Sequence, residues 1–165
     1  MSRNEPVERG AATGVDAFLA EITKSPTRPT AGSGRLVFAL DATASRRETW
    51  DMACKLQGEM FGAVAAIGGL HVQLVYYRDL SECRNSRWVT DTRELARLMT
   101  RIECRAGGTQ IGKVLAHVKK EAKVLPVSTL VFVGDAMEEN PDALAHEASE
   151  LGRLGVPAFM FQEGR

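Results

Sequence analysis

Short apolar runs alternate along this chain with stretches of helical spacing, and no other feature limits its fold as tightly. "RLVFAL", "HVQLVYY", "STLVFVGD" and "VPAFMFQ" are rich in β-branched and aromatic residues, the mark of buried strands. Between them lie "ETWDMACKLQGEMFGAVAAI", "DTRELARLMTRI", "QIGKVLAHVKKEAK" and "NPDALAHEASELGRLG", whose apolar positions recur with the period of a helix. Asp91 caps the second of these, "GGT" separates the second from the third, and the last has a proline just inside its start and a glycine at its end. Strands alternating with helices predict an α/β fold. The expected form is a doubly wound, mostly parallel sheet with helices on both faces and right-handed crossovers. "RDLSECRNS" is too short to hold a crossover helix, so "RWVT" is expected to form a third strand, antiparallel and at an edge. No internal repeat is visible.

The organised pattern occupies residues 35–165. Residues 1–34 are mostly polar, end in the linker-like "SPTRPTAGSG", and read as a flexible segment holding one short helical stretch, "VDAFLAEI". A chain of 165 residues can bury about 70% of its unfolded surface, so the core is expected to need no disulfide. Its 21 basic and 21 acidic residues give no overall bias towards nucleic acid or an anionic membrane. Three cysteines, Cys54, Cys83 and Cys104, form no CxxC pair and suggest reduced thiols. The N-terminus lacks the apolar stretch of a signal peptide, no run approaches the ~20 residues of a membrane span, and the expected location is the cytoplasm.

Sites in open α/β sheets lie beyond the carboxyl ends of the strands. Asp41 follows the first strand here and Asp135 the fourth, so both carboxylates belong to one rim. Thr43 and Ser45 follow Asp41 at alternate positions, and Thr109, at the start of a helix, can approach them. Asp41 can belong to an ordinary strand-to-helix turn, cap a helix, or act as a nucleophile awaiting a phosphate. Ser45 also begins "SRRE", a capping-box pattern with Glu48, and Thr109 can be a plain cap. Taken together, the five oxygens suit a hard cation, Mg²⁺ or Mn²⁺, which keeps several waters and needs few carboxylates. Two anionic ligands leave such an ion able to attract an outside carboxylate, which suits binding more than turnover.

The stretch Asp41-Ala-Thr43-Ala-Ser45, the later Thr109 and the distant Asp135 resemble the metal-ion-dependent adhesion site of the von Willebrand factor type A domain, an Asp-x-Ser-x-Ser motif with a distant Thr and Asp. Thr43 stands where the family has its first serine and keeps the hydroxyl. The resemblance spans residues 35–162 and implies that Thr43 and Ser45 are direct ligands. Thr109 is then direct or water-linked, Asp41 and Asp135 act mostly through water, and a partner's acidic residue fills the open position. Family members usually continue with a further helix and often a sixth strand, so this chain is expected to be a fragment or a compact variant. The implied function is a metal-dependent protein-interaction module, not an enzyme.

Rival readings remain. "GGTQIGKV" meets the first seven positions of a phosphate-binding loop, which suggests a nucleotide hydrolase, but Val114 replaces the magnesium-touching hydroxyl and the preceding segment reads as helix. A nucleophilic aspartate of the D-x-D type has Thr43 in the wrong place, and His71, His117 and His146 offer no triad. A metal-independent scaffold, using a helix face or the fifth strand, is the third. Arg46 and Arg47 oppose the helix dipole and are read either as attracting an acidic partner or as solvated. Glu138, Glu139, Lys119, Lys120 and Lys123 read as solvated. Cys54, Met60, Phe61, Val64, Met99, Phe132, Phe159 and Phe161 read as core, and Trp50 and Trp88 as partly exposed.

Overall fold

The computed structural model describes residues 34–67 and 69–163. The N-terminal segment and its helical stretch fall outside them, as does the side chain of Val64. Five strands form one sheet: β1 (Gly34–Asp41), β2 (Leu70–Arg78), β3 (Glu82–Asn85), β4 (Thr129–Gly134) and β5 (Ala158–Gln162). Their order is β3-β2-β1-β4-β5, with every pairing parallel except β2 with β3. Four helices connect them, α1 (Trp50–Ile67), α2 (Thr92–Arg101), α3 (Ile111–Val124) and α4 (Pro141–Arg153). This is the doubly wound, mostly parallel α/β sheet that the alternation predicts.

Helices cover both faces, α1 against α2 and α3 against α4. Successive residues of β1 point to opposite faces. Phe38 meets Phe61 of α1 edge-on at 5.1 Å, whereas Val37 and Ala39 join a core cluster with Val114, Leu115, Leu144 and Leu151 of α3 and α4. Covering both faces explains why β4 and most of β1 are wholly buried and read as continuous apolar runs. Alternation puts Asp41 on the α3–α4 face, at the strand's last position.

Local chemistry sets the helix ends. Asp91 accepts from the Arg93 amide at 3.1 Å, and Asn140 accepts from Asp142 and Ala143 ahead of α4. α4 closes with paired bonds, Val156 N–H to Leu151 C=O at 3.1 Å and Gly155 N–H to Gly152 C=O at 3.0 Å. Gly155, at φ 73°, supplies the left-handed residue that this closure requires.

The antiparallel strand lies earlier than expected, at Glu82–Asn85 within the presumed connection, while "RWVT" contributes an isolated bridge from Val89 to Val72. A tight turn with Asp79 at φ 56° returns the chain at once. Three steps along β2, from Val72 to Val75, then face four on the return, from Asn85 to Val89, so one extra residue is bulged out near Ser86. Other core assignments shift as well. Trp50 is buried, its indole N–H pointing at the Met99 carbonyl, whereas Phe159 and Phe161 on the edge strand β5 are half-buried.

Candidate metal centre

Residues 41–45 leave the sheet in an Asx-type turn. Asp41, fully buried, accepts through Oδ1 from the Thr43 amide at 2.8 Å and from the Thr43 hydroxyl, while Oδ2 accepts from the Tyr77 hydroxyl at 3.0 Å. Thr43 Oγ1 and Ser45 Oγ lie 3.2 Å apart. The parallel register that sets Asp41 opposite Tyr77 explains the tyrosine contact. Ser45 sits in a single 3₁₀ turn, Ala44–Arg46, and α1 starts only at Trp50, so the capping-box reading of "SRRE" has no α-helix to cap.

Asp135 follows β4 directly. A Cβ added to the preceding Gly134 would lie 3.3 Å from the Asp41 Cβ, which shows how closely the two strand ends approach. Asp135 Oδ1 is buried and has no hydrogen-bond partner. Burial pushes the Asp41 carboxyl above its ordinary range; the Thr43 and Tyr77 hydrogen bonds act against that rise, and the nearby Asp135 charge adds to it. A buried carboxylate oxygen without a partner, beside a second carboxylate and two adjacent hydroxyls, fits a hard cation. Among the described residues, no three His, Cys, Asp or Glu side chains gather into a metal cage, so a cation here depends on the hydroxyls.

Thr109 reaches the rim by another route. Its hydroxyl accepts from the Glu138 amide at 2.9 Å, three residues beyond Asp135. It lies two residues ahead of α3, whose N-cap is Gln110. The same loop bonds back to the first strand's exit through Arg105 N–H and the Ala42 carbonyl at 3.1 Å. Asp41, Thr43 and Ser45 are thus joined directly, Asp135 lies beside Asp41, and Thr109 is held by the loop that carries Asp135.

Several supporting residues escaped sequence reasoning. Glu139, read as solvated, caps α3: its carboxylate accepts from the amides of Ile111 at 2.5 Å and Gly112 at 2.8 Å. Arg46 is neither solvated nor turned to a partner. It is fully buried, donates to the Asp41 carbonyl at 2.6 Å, and pairs with Glu163 at 2.8 Å. Tyr77 carried one available signal, its place in the second strand as the alternating partner of a strand-end aspartate.

The phosphate-loop residues have other uses. A Cβ at Gly107 would lie 1.9 Å from the Asp79 carbonyl, so this glycine serves close backbone contact. Glu139 already takes the first α3 amides, and Lys113 donates to the Ser81 carbonyl at 3.3 Å. His117 is bonded to Gln73 at 2.8 Å, and burial holds its pKa down.

No family model and no curated protein matches this chain. Solved structures do. A von Willebrand factor type A protein from Catenulispora acidiphila matches with a TM-score of 0.63 at 15% identity, over 79% of this chain and 33% of that one. The manganese-loaded TRAP protein of Plasmodium vivax matches at 0.64 and 13%, over 81% and 59%. The pilus adhesin SpaC of Lactobacillus rhamnosus GG, in its open conformation, matches at 0.52 and 10%, over 64% and 15%. The chain therefore spans less than two thirds of each of these structures. It has the von Willebrand factor type A fold.

Proposed function

We propose that this chain is a protein-interaction module that recognises an acidic residue of its partner through Mg²⁺ or Mn²⁺. Thr43, Ser45 and Thr109 hold the ion through hydroxyls, with Asp41 and Asp135 as the anionic surround. The bound ion supplies concentrated positive charge and a coordination position open to the partner's carboxylate. The observation that carries this reading is Asp135 Oδ1, a buried carboxylate oxygen without a hydrogen bond beside Asp41. Such a group is costly unless something positive compensates it.

Asp41 orients the motif by holding the Thr43 amide and hydroxyl, and Tyr77 fixes the other carboxylate oxygen. Both tasks position the loop, and the proposed ion serves as an anchor for a partner carboxylate; we read the module as non-enzymatic. The manganese-loaded state of the TRAP structure and the nature of SpaC as a pilus adhesin are in keeping with this reading. Three free thiols favour a reducing, cytoplasmic setting.

Calorimetric titration of the chelator-stripped protein with Mg²⁺ and Mn²⁺ tests the proposal, with Asp41→Ala and Asp135→Ala in parallel. Saturable binding lost in both variants is the expected result. Equal binding by the variants overturns the site, and Mg-ATP binding that survives Asp41→Ala restores the phosphate-loop reading.

A further inference from the structure

Away from the metal rim, two adjoining open grooves of about 440 and 300 Å³ run between α2 and the β2–β3 edge, sharing Ser86, Leu98 and Arg101. Their apolar floor includes Leu74, Val89, Leu98 and Ile102, with Leu98 37% exposed. Arg78, Arg84, Arg87, Arg97 and Arg101 line them, against one acid, Glu94. Glu82 engages Arg78 and Arg84 at 2.6 and 2.9 Å, and Glu94 engages Arg87 at 3.2 Å. Arg97 and Arg101 have no ion-pair partner among the described residues. In a chain of zero formal net charge, this is a local surplus of cations.

β3 is the outermost strand on this side, so one of its edges offers unpaired main-chain groups next to the groove. Arg84 pairs with Tyr76, which shares a sheet face with Leu74, and that face is the one turned to α2.

We propose that this groove binds an extended acidic segment of a partner protein, which adds as a strand along β3 and sets its carboxylates against Arg84, Arg97 and Arg101. An added strand takes affinity from main-chain hydrogen bonds and specificity from every second side chain. Here those side chains meet guanidinium groups that can take carboxylates in bidentate fashion, and an apolar floor that receives an aliphatic residue between them. The apolar floor also favours a peptide over a nucleic acid. The groove's one aromatic side chain, Tyr76, is already faced by Arg78 at 5.5 Å, which leaves little for a base to stack on. None of the five metal-centre residues lines the groove, so binding here is independent of a divalent ion.

The test is fluorescence anisotropy of a labelled peptide in which glutamate and valine take turns at every second position, with serine between them so that both face the groove, titrated with the full chain in excess chelator. Saturable binding that weakens with salt, falls about tenfold or more in Arg97→Glu/Arg101→Glu, and protects the Glu82–Asn85 amides from hydrogen exchange supports the proposal. Both arginines are exposed, and Arg97→Ala/Arg101→Ala, checked by circular dichroism, provides a milder variant of the same surface. Absence of binding overturns it, as does equal binding by the variants or of a lysine–valine peptide. Tighter binding of a single-stranded oligonucleotide, or binding without β3 protection, overturns it too. Loss of Mg²⁺ binding in Asp135→Ala leaves this result unchanged, which separates the two interaction sites.

Discussion

Asp41 sits under opposing influences. Burial and the neighbouring Asp135 disfavour its charge, while the Thr43 and Tyr77 donors favour it, and burial is the largest of these effects. Its carboxyl consequently titrates above the ordinary value of 3.8 in the folded chain. The stability it contributes is complete below that value and is lost as pH rises through the folded pKa. In chelator, thermal unfolding should therefore show Asp41→Asn gaining on the wild type as pH climbs from 3.8 upward; a constant difference would refute this. A divalent ion should reverse the ranking at neutral pH, because only the wild type can use it. Tyr77→Phe removes a buried donor to the same carboxylate and should cost about 1.5–3 kcal/mol by denaturant unfolding. It should also weaken Mg²⁺ binding in calorimetry. That Asp41 and Asp135 leave the sheet at one rim was legible because strand ends in an α/β sheet converge there, and Thr43 and Ser45 follow Asp41 in the chain. Tyr77 and Glu139 were not, because their roles come from register and from loop packing that no local pattern encodes.

At the scale of elements, the start of α3 depends on another connection. Its N-cap Gln110 makes no side-chain capping bond, and Glu139 from the β4–α4 loop supplies the acceptor instead. Glu139→Ala should lower stability by about 1–2 kcal/mol. Because that loop also holds Thr109 through the Glu138 amide, the same variant should weaken Mg²⁺ binding, measured against an exposed control such as Lys120→Ala. Gly107→Ala drives a methyl group into the Asp79 carbonyl and should cost about 1–3 kcal/mol in urea unfolding. An unchanged midpoint would show that the loop yields freely. The antiparallel strand is the element that sequence reading misplaced. "RWVT" has the stronger β composition, yet "ECRN" follows the tight turn at once and pairs first, and the bulge near Ser86 then brings Val89 back to Val72.

Across the whole molecule, the most distant link to the rim is Arg46 with Glu163, separated by 117 residues in sequence. Arg46 ties the exit of β1 to the chain just beyond β5, where the Glu163 amide also donates to the Gly134 carbonyl at 2.7 Å. Glu163→Ala leaves a buried guanidinium without its carboxylate and should cost about 3 kcal/mol, at the low end for such pairs because Glu163 remains 29% exposed. Denaturant unfolding checks it, and the loss should shrink in Arg46→Met/Glu163→Ala. The sequence by itself determined the layered α/β plan, the parallel central strands and the rim to which Asp41 and Asp135 belong. Hydrophobic period and chain direction are local properties and can be read residue by residue. Tertiary structure alone decided that Arg46 is buried, that Tyr77 bonds Asp41 and Glu139 caps α3, that β3 forms at Glu82–Asn85, and that an arginine-lined groove opens beside it. Each of these depends on partners brought together only when the sheet closes, and the energy of a buried charge is set by those partners rather than by its neighbours in sequence.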